Sequence, residues 1–494
     1  MIENDYIYNE NEWEFINDGY KKKGSFGEII KARKKNGIIN EIKVNDKIIG
    51  IKIIKFEDEI KLNEVLNLEK IKKENNKIKL NTIIDYYGYG IKDKNLYIYL
   101  EFIEGNTIYE LKKNNQLKLD EKQIQIILGK CLETIKFLHK NCKIIHMDLK
   151  CDNIILRNFN NLDIVIIDYG LSINVGEKKK DRYGTFLPPE FLLNPRLTFE
   201  NYNYIFDVYC LGCVSIELFL DIACDSRHGF DNYLKENQNK MSPLFSNFIK
   251  KCINTKLDIK ALEIHPFING NYGDVKRYFK LLKETPLKKI REKFNIVDNS
   301  ILLINDSSPL YNLNENDKKM IVFGESFNNV ISKKMLENKK IVIINNPNRE
   351  IGIDFYIPKE VIYLSIKGKG EFEFENSIPN NLETFIYEGE IRNEISGLKN
   401  NIKHLILENY NELFIKIHRI PPSVTFLQLG NSVEKEVIKK SFSFLPPNIE
   451  ELCFGCTDDT LKEIERKDIP SSINFFYING KLMKFLDNKL ISYQ

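Results

Sequence analysis

Residues Ile145 to Leu156 read Ile-His-Met-Asp-Leu-Lys-Cys-Asp-Asn-Ile-Ile-Leu, and a second apolar run soon after closes on Ile166-Ile167-Asp168-Tyr169-Gly170. A loop that offers Asp148, Lys150 and Asn153 together, followed by a carboxylate at the end of a buried strand, restricts both fold and chemistry. Such a set suits phosphoryl transfer from a metal-bound nucleotide. Asp148 can take the proton of an attacking hydroxyl. Lys150 can sit against the phosphoryl group in transit, and Asn153 with Asp168 can hold magnesium ions.

These residues resemble the eukaryotic-type protein kinases, over roughly the first 280 residues. The likeness is to the serine/threonine class, because Lys150 follows Asp148 by two positions and Gly184-Thr185 stands just ahead of Pro188-Pro189-Glu190. It implies an α+β, bilobal kinase fold, ATP and Mg2+ as cofactors, and a protein Ser or Thr hydroxyl as acceptor. Lys22-Lys23-Gly24-Ser25-Phe26-Gly27-Glu28-Ile29 resembles the glycine-rich phosphate loop, with Lys22 in place of its first glycine. In isolation, Gly-Ser-Phe-Gly suits an ordinary hairpin turn equally well. Ile48 to Ile54 alternates as a strand, with Lys52 as its single cation. The resemblance makes Lys52 the phosphate-binding lysine and Glu64, on the next helix, its carboxylate partner, with Glu69 and Glu59 as alternatives. Leu96 to Gly105 resembles the strand that runs into the hinge, so that backbone groups of Glu101 and Ile103 would meet the adenine and Leu100 would guard the deeper pocket.

The chain departs from the family pattern at informative places. Met147 stands where the family carries an arginine that receives a phosphorylated activation loop. Between Ser172 and Thr185 there is no serine or threonine, and Tyr183 is the one hydroxyl. The expectation is an enzyme not switched by Ser/Thr phosphorylation of that loop. Tyr169 replaces a phenylalanine. Asp207 to Gly212 matches the start of the large lobe's central helix, and Lys256 is the nearest cation to the place of the arginine that pairs with the Glu190 position.

At 494 residues the chain exceeds what a single core supports, so two or three domains are expected. With 73 basic and 70 acidic side chains the formal charge is +3, which gives no electrostatic case for nucleic acid or a membrane as main partner. Met1 to Trp13 lacks the basic start and apolar middle of a signal peptide, and the apolar stretch Val208 to Ala223 is shorter than a bilayer span and carries Glu217. A cytoplasmic protein is the expectation. The nine cysteines read as reduced, structural thiols. The pairs Cys210/Cys213 and Cys453/Cys456 lie in apolar runs and make poor zinc ligands.

Past residue 310 an internal repeat appears. Ile357-Pro358 leads to Val361, Leu364 and Ile366, and Ile378-Pro379 to Leu382, Phe385 and Tyr387. The offsets recur after Leu398-Lys399, Ile420-Pro421, Leu445-Pro446 and Ile469-Pro470. A period of about 20 to 25 residues is that of leucine-rich solenoids, in which one strand per unit buries its apolar face only by stacking on its neighbours. The pattern resembles FNIP repeats, with Phe323 to Ile331 as the copy that best keeps their signature. The layout expected is a kinase domain at 14–285, a linker at 286–312, a β-rich, leucine-rich-repeat-like array at 313–480 and a tail at 481–494. The function expected is a serine/threonine protein kinase whose repeats bind a protein partner or substrate. The alternative is a catalytically silent kinase-fold scaffold that acts through the repeats.

Overall fold

The structure, a computed structural model, describes residues 13–16, 21–24, 27–34, 38–39, 42–43, 48–56, 62–175, 184–188, 204–220, 230–237, 240–255, 258–269, 275–304, 318–327, 331, 333–350, 357–369, 378–389, 398–408, 420–430, 432–470, 472–473, 475–486 and 488–492. The chain forms two compact units, Met1–Asn269 and Gly270–Gln494.

In the first unit, β1 (Trp13–Phe15), β2 (Lys21–Gly24), β3 (Gly27–Lys34), β6 (Ile48–Lys55), β7 (Tyr86–Lys92) and β8 (Asn95–Glu101) make one antiparallel sheet, ordered β1-β3-β6-β8-β7 with β2 paired to β3. The short β4 (Ile38–Ile39) and β5 (Ile42–Lys43) pair with each other. Alternation along β6 sends Ile49 and Ile51 to one face, against Ala32, Tyr87 and Tyr99. Lys52 and Ile54 point to the other, where helix α1 (Leu62–Ile78) packs through Val65, Leu68 and Ile71.

The remainder of this unit is mainly helical. After β9 (Asn106–Thr107), α2 (Ile108–Lys113) starts at a capping box of Thr107 with Glu110, and α3 (Glu121–Phe137) at one of Asp120 with Gln123. The helix Ile205–Phe219 is buried on every side from Phe206 to Leu218, as the base of a core must be. Between these helices run β10 (Ile144–Ile145), paired with β13 (Ile173–Asn174), and the hairpin β11 (Ile154–Asn158) and β12 (Asp163–Ile166). That hairpin joins the apolar run that follows the catalytic-looking loop to the one that closes on Asp168. The segment after α1 is tied to β12 by Ile166 N–H donating to the Thr82 carbonyl at 2.8 Å. Among the described residues no helix is long and apolar enough to cross a membrane. The described cysteines are buried and form no disulfide, and burial alone pushes the Cys131 thiol up to about 12.

The second unit is strand-rich. Strands β14 (Ile301–Ile304), β15 (Met320–Phe323), β16 (Ile341–Glu350), β17 (Tyr363–Lys369), β18 (Thr384–Tyr387), β19 (His404–Leu407), β20 (Phe426–Gln428), β21 (Glu451–Phe454) and β22 (Phe475–Ile478) lie parallel, in chain order, within one eleven-stranded sheet. The repeat offsets have a direct structural cause. Within each unit the turn closes by the same bond: Val361, Leu382, Val424, Ile449 and Ile473 N–H donate to the carbonyls of Pro358, Pro379, Pro421, Pro446 and Pro470, and Ile402 donates to Lys399. Register then aligns Leu364, Phe385, Leu405, Leu427 and Leu452 across neighbouring strands, all in one apolar core.

The expected linker and tail differ from what the structure holds there. Ile301–Ile304 pairs with Met320–Phe323, so the sheet begins inside 286–312; no proline marks that strand, and the proline signal therefore starts too late. The expected boundary at 285 falls within one helix, Val275–Lys293. In the expected tail, β23 (Lys481–Leu486) and β24 (Lys489–Ser492) turn antiparallel and extend the sheet past β22. Reversing direction replaces the open parallel edge by a hairpin.

Candidate active site

Lys52 leaves the α1 side of β6 and is almost fully buried. Its Nζ donates to Glu64 Oε1 at 2.7 Å and to Asp168 Oδ1 at 2.9 Å. Burial alone would lower the Lys52 pKa, but the two carboxylates more than offset it and hold the ammonium charged well above its ordinary range. Asp168 feels burial in the opposite sense, and Lys52, with the Gly170 N–H, holds it below its ordinary value. Glu64 is thus the partner among the three candidates. Glu69 instead accepts from the Tyr86 hydroxyl at 3.5 Å, and Glu59 lies outside the described residues.

The loop between β10 and β11 is held from below. Asp207, in the first turn of the Ile205–Phe219 helix, accepts from the N–H groups of His146 and Met147 at 2.8 and 2.9 Å and bonds His139 Nε2 at 2.7 Å. Burial opposes its charge, but these donors keep Asp207 below its ordinary value. Met147 takes φ +70° and Asp168 φ +64°, left-handed conformations that a side chain adopts only where its surroundings enforce them. Asp207 supplies that constraint at Met147.

Asp148 is the centre of the polar set. Asn153 Nδ2 donates to its Oδ2 at 3.0 Å and to its carbonyl at 2.7 Å, and Lys150 Nζ lies 3.0 Å from Oδ2. The Thr185 N–H donates to Asp148 Oδ1 at 2.8 Å, while Lys150 donates to Thr185 Oγ1 at 2.9 Å. Ile167 N–H donates to the Asn153 carbonyl at 3.0 Å, which keeps Asn153 beside the strand end that carries Asp168. With Nδ2 committed, Asn153 Oδ1 can receive a cation, and Asp168 has Oδ2 beyond the oxygen that Lys52 engages. Two hard oxygen donors fit Mg2+, which keeps waters and binds phosphate oxygens. Among the described residues no group of three metal-ligating side chains competes with that assignment.

On the nucleotide side, Gly24 pairs with Gly27 at the end of the β2–β3 ladder, and Ser25 and Phe26 lie outside the described residues. Gly27 is required by packing as well, since a Cβ there would run into the Ile53 carbonyl. Ile29 stands directly across from Lys52. At the hinge, the Glu101 N–H is committed to the Asp85 carbonyl at 2.8 Å. Ile103 and Leu100 are buried. The Glu101 carboxylate pairs with Arg157 at 2.8 Å, and Arg157 also lies 3.5 Å from Asp163. Sequence reasoning missed that strut, because an arginine on a short strand carries no local mark of a partner so far along the chain. The expectations for Glu190, Lys256 and Tyr183 fall outside the described residues.

This fold and site define a phosphotransferase of the protein kinase class. A family model described as "Protein kinase domain" matches residues 23–261, and one described as "FNIP Repeat" matches 393–432. The FNIP match therefore falls on a later unit than the Phe323–Ile331 copy singled out in the sequence. A probable serine/threonine-protein kinase of Dictyostelium discoideum is 51% identical over the full length of both chains. Two others from that organism, named as probable serine/threonine-protein kinases fnkE and fnkB, are 30% and 25% identical; they cover 96% and 97% of this chain, which in turn covers 36% of the first and 97% of the second. The chain belongs to the serine/threonine protein kinases with C-terminal FNIP repeats.

Proposed function

We propose that phosphoryl transfer runs from ATP with Mg2+ to a protein Ser or Thr hydroxyl, with Asp148 as the proton acceptor and Lys150 against the phosphoryl group. Lys52, held by Glu64, contacts the nucleotide phosphates; Gly24, Ser25, Phe26, Gly27 and Ile29 cover them; and Glu101 and Ile103 receive the adenine through their backbones. Asn153 and Asp168 would hold Mg2+, which neutralises phosphate charge when bound. The observation that carries this reading is the Lys52 ammonium bridging Glu64 and Asp168 at 2.7 and 2.9 Å. Separate elements converge there with a buried, charged geometry that a purely structural core would avoid.

The catalytic part is read as lying within the first unit, which ends at Asn269, and the repeats as a leucine-rich-like solenoid that binds a protein partner or substrate. One strand per unit, the same turn bond in successive units and a single continuous core support that reading. The test is incorporation of labelled phosphate from ATP into a protein substrate by the wild-type chain, Asp148→Asn and Lys52→Met. Loss of labelling in both variants supports the assignment, and equal labelling in all three overturns it.

A further inference from the structure

Glu64 can hold Lys52 only while α1 keeps its place and rotation. The apolar contacts of Val65, Leu68 and Ile71 are non-directional and leave both loosely specified. Two polar contacts on the same helix are directional. Asn67, one turn after Glu64 and only 2% exposed, donates from Nδ2 to the Ser172 carbonyl at 2.9 Å. Lys70, one turn further, donates to Asn174 Oδ1 at 2.6 Å. Ser172 and Asn174 belong to the start of the segment that leaves Asp168. Ser172 Oγ in turn donates to the His146 carbonyl at 3.1 Å, and the His146 N–H is held by Asp207. A continuous polar line thus runs from α1, through the start of that segment, to the catalytic loop and the central helix.

Every contact in this line is made by an unmodified side chain or backbone group, none of which needs a phosphate. Met147, at the position expected to receive one, is fully buried and apolar. We infer that Asn67 and Lys70 are positioning residues: they latch α1 to the segment after Asp168, and so keep Glu64 on Lys52, in a chain that has no serine or threonine between Ser172 and Thr185. The inference rests on the phosphotransfer reading above. An amide donating to a backbone carbonyl inside the fold fixes the helix at no electrostatic cost, and losing it leaves a buried acceptor unsatisfied.

The test uses the full chain. Turnover is measured for phosphatase-treated and untreated wild type, for Asn67→Leu and Lys70→Met, and for Asn67→Leu in a Glu64→Gln background. Wild type should keep its rate within twofold after phosphatase. Asn67→Leu should lower kcat about tenfold, the effect of losing one buried hydrogen bond, with a smaller change in KM for ATP. In the Glu64→Gln background the same substitution should cost less than twofold, because the pair it positions is already gone. Equal losses in both backgrounds would make Asn67 merely structural, and full activity in both Asn67→Leu and Lys70→Met, or a wild type silenced by phosphatase, would also overturn the latch. If Asn67→Leu does not fold, Lys70→Met is judged by the same cycle with Glu64→Gln. A wild type that transfers no phosphate removes the phosphotransfer reading, and amide hydrogen exchange then decides on the latch. Protection of α1 that falls in Asn67→Leu or Lys70→Met while β6 keeps its own supports it, and unchanged protection overturns it.

Discussion

Gly184 passes so closely over the Met147 carbonyl that a Cβ at 184 would overlap it. That approach brings Thr185 to Asp148 and Lys150. Gly184→Ala should therefore displace Thr185 and cost about a hundredfold in kcat, the usual effect of a displacement near 1 Å at a reacting centre. Steady-state rates with the protein substrate check this, and a loss under threefold would show that the approach is not needed.

Removing Lys52 leaves two carboxylates facing each other in a buried place, whereas removing Glu64 leaves Lys52 with Asp168. Lys52→Met should consequently destabilise the first unit more than Glu64→Gln does. Breaking a buried pair from one side costs roughly 3–5 kcal/mol. Denaturant unfolding of the three chains compares them, and equal midpoints for the two variants would contradict the ranking.

The catalytic loop was legible because its groups are nearly consecutive, so Asp148, Lys150 and Asn153 meet through local geometry alone. Glu64 was legible only in part: helix spacing named several glutamates, and which one meets Lys52 depends on how α1 rests on the sheet. Asn67 and Arg157 carried no signal, since Asn67 bonds a backbone carbonyl and Arg157 a carboxylate more than fifty positions away. The repeats were readable where proline marks the turn. Ile301–Ile304 lacks that mark, and an apolar tetrapeptide can belong to a helix, a linker contact or a strand until a neighbour pairs with it.

Leu405 lies between Phe385 and Leu427 in the ladder, and all three are fully buried. Each repeat stacks on the next, so a cavity at Leu405 weakens two interfaces at once. Leu405→Ala should lower the stability of the second unit by about 2–5 kcal/mol. Hydrogen exchange resolved along the chain should show lost protection in β18, β19 and β20 first. Loss confined to the first unit would contradict the stacking argument.

His265 gives the chain a defined acid sensitivity. Its Nδ1 accepts from the Phe267 N–H at 3.1 Å and its Nε2 lies 2.9 Å from Asn247 Oδ1, an arrangement that suits the neutral ring with its proton on Nε2. Burial, with the nearby charge of Lys251, lowers its pKa from 6.5 to about 3. The unfolded chain then binds more protons than the folded one between those values. The contribution of His265 is full above about pH 6.5 and is lost progressively as pH falls toward 3, on the order of a few kcal/mol across the window. His265→Asn keeps a donor for Asn247 and an acceptor for Phe267 without titrating. Its melting temperature should fall less than that of wild type between pH 6.5 and 4.5, while carboxylates titrate alike in both chains. Parallel curves would mean that the folded ring accepts a proton as readily as the unfolded one.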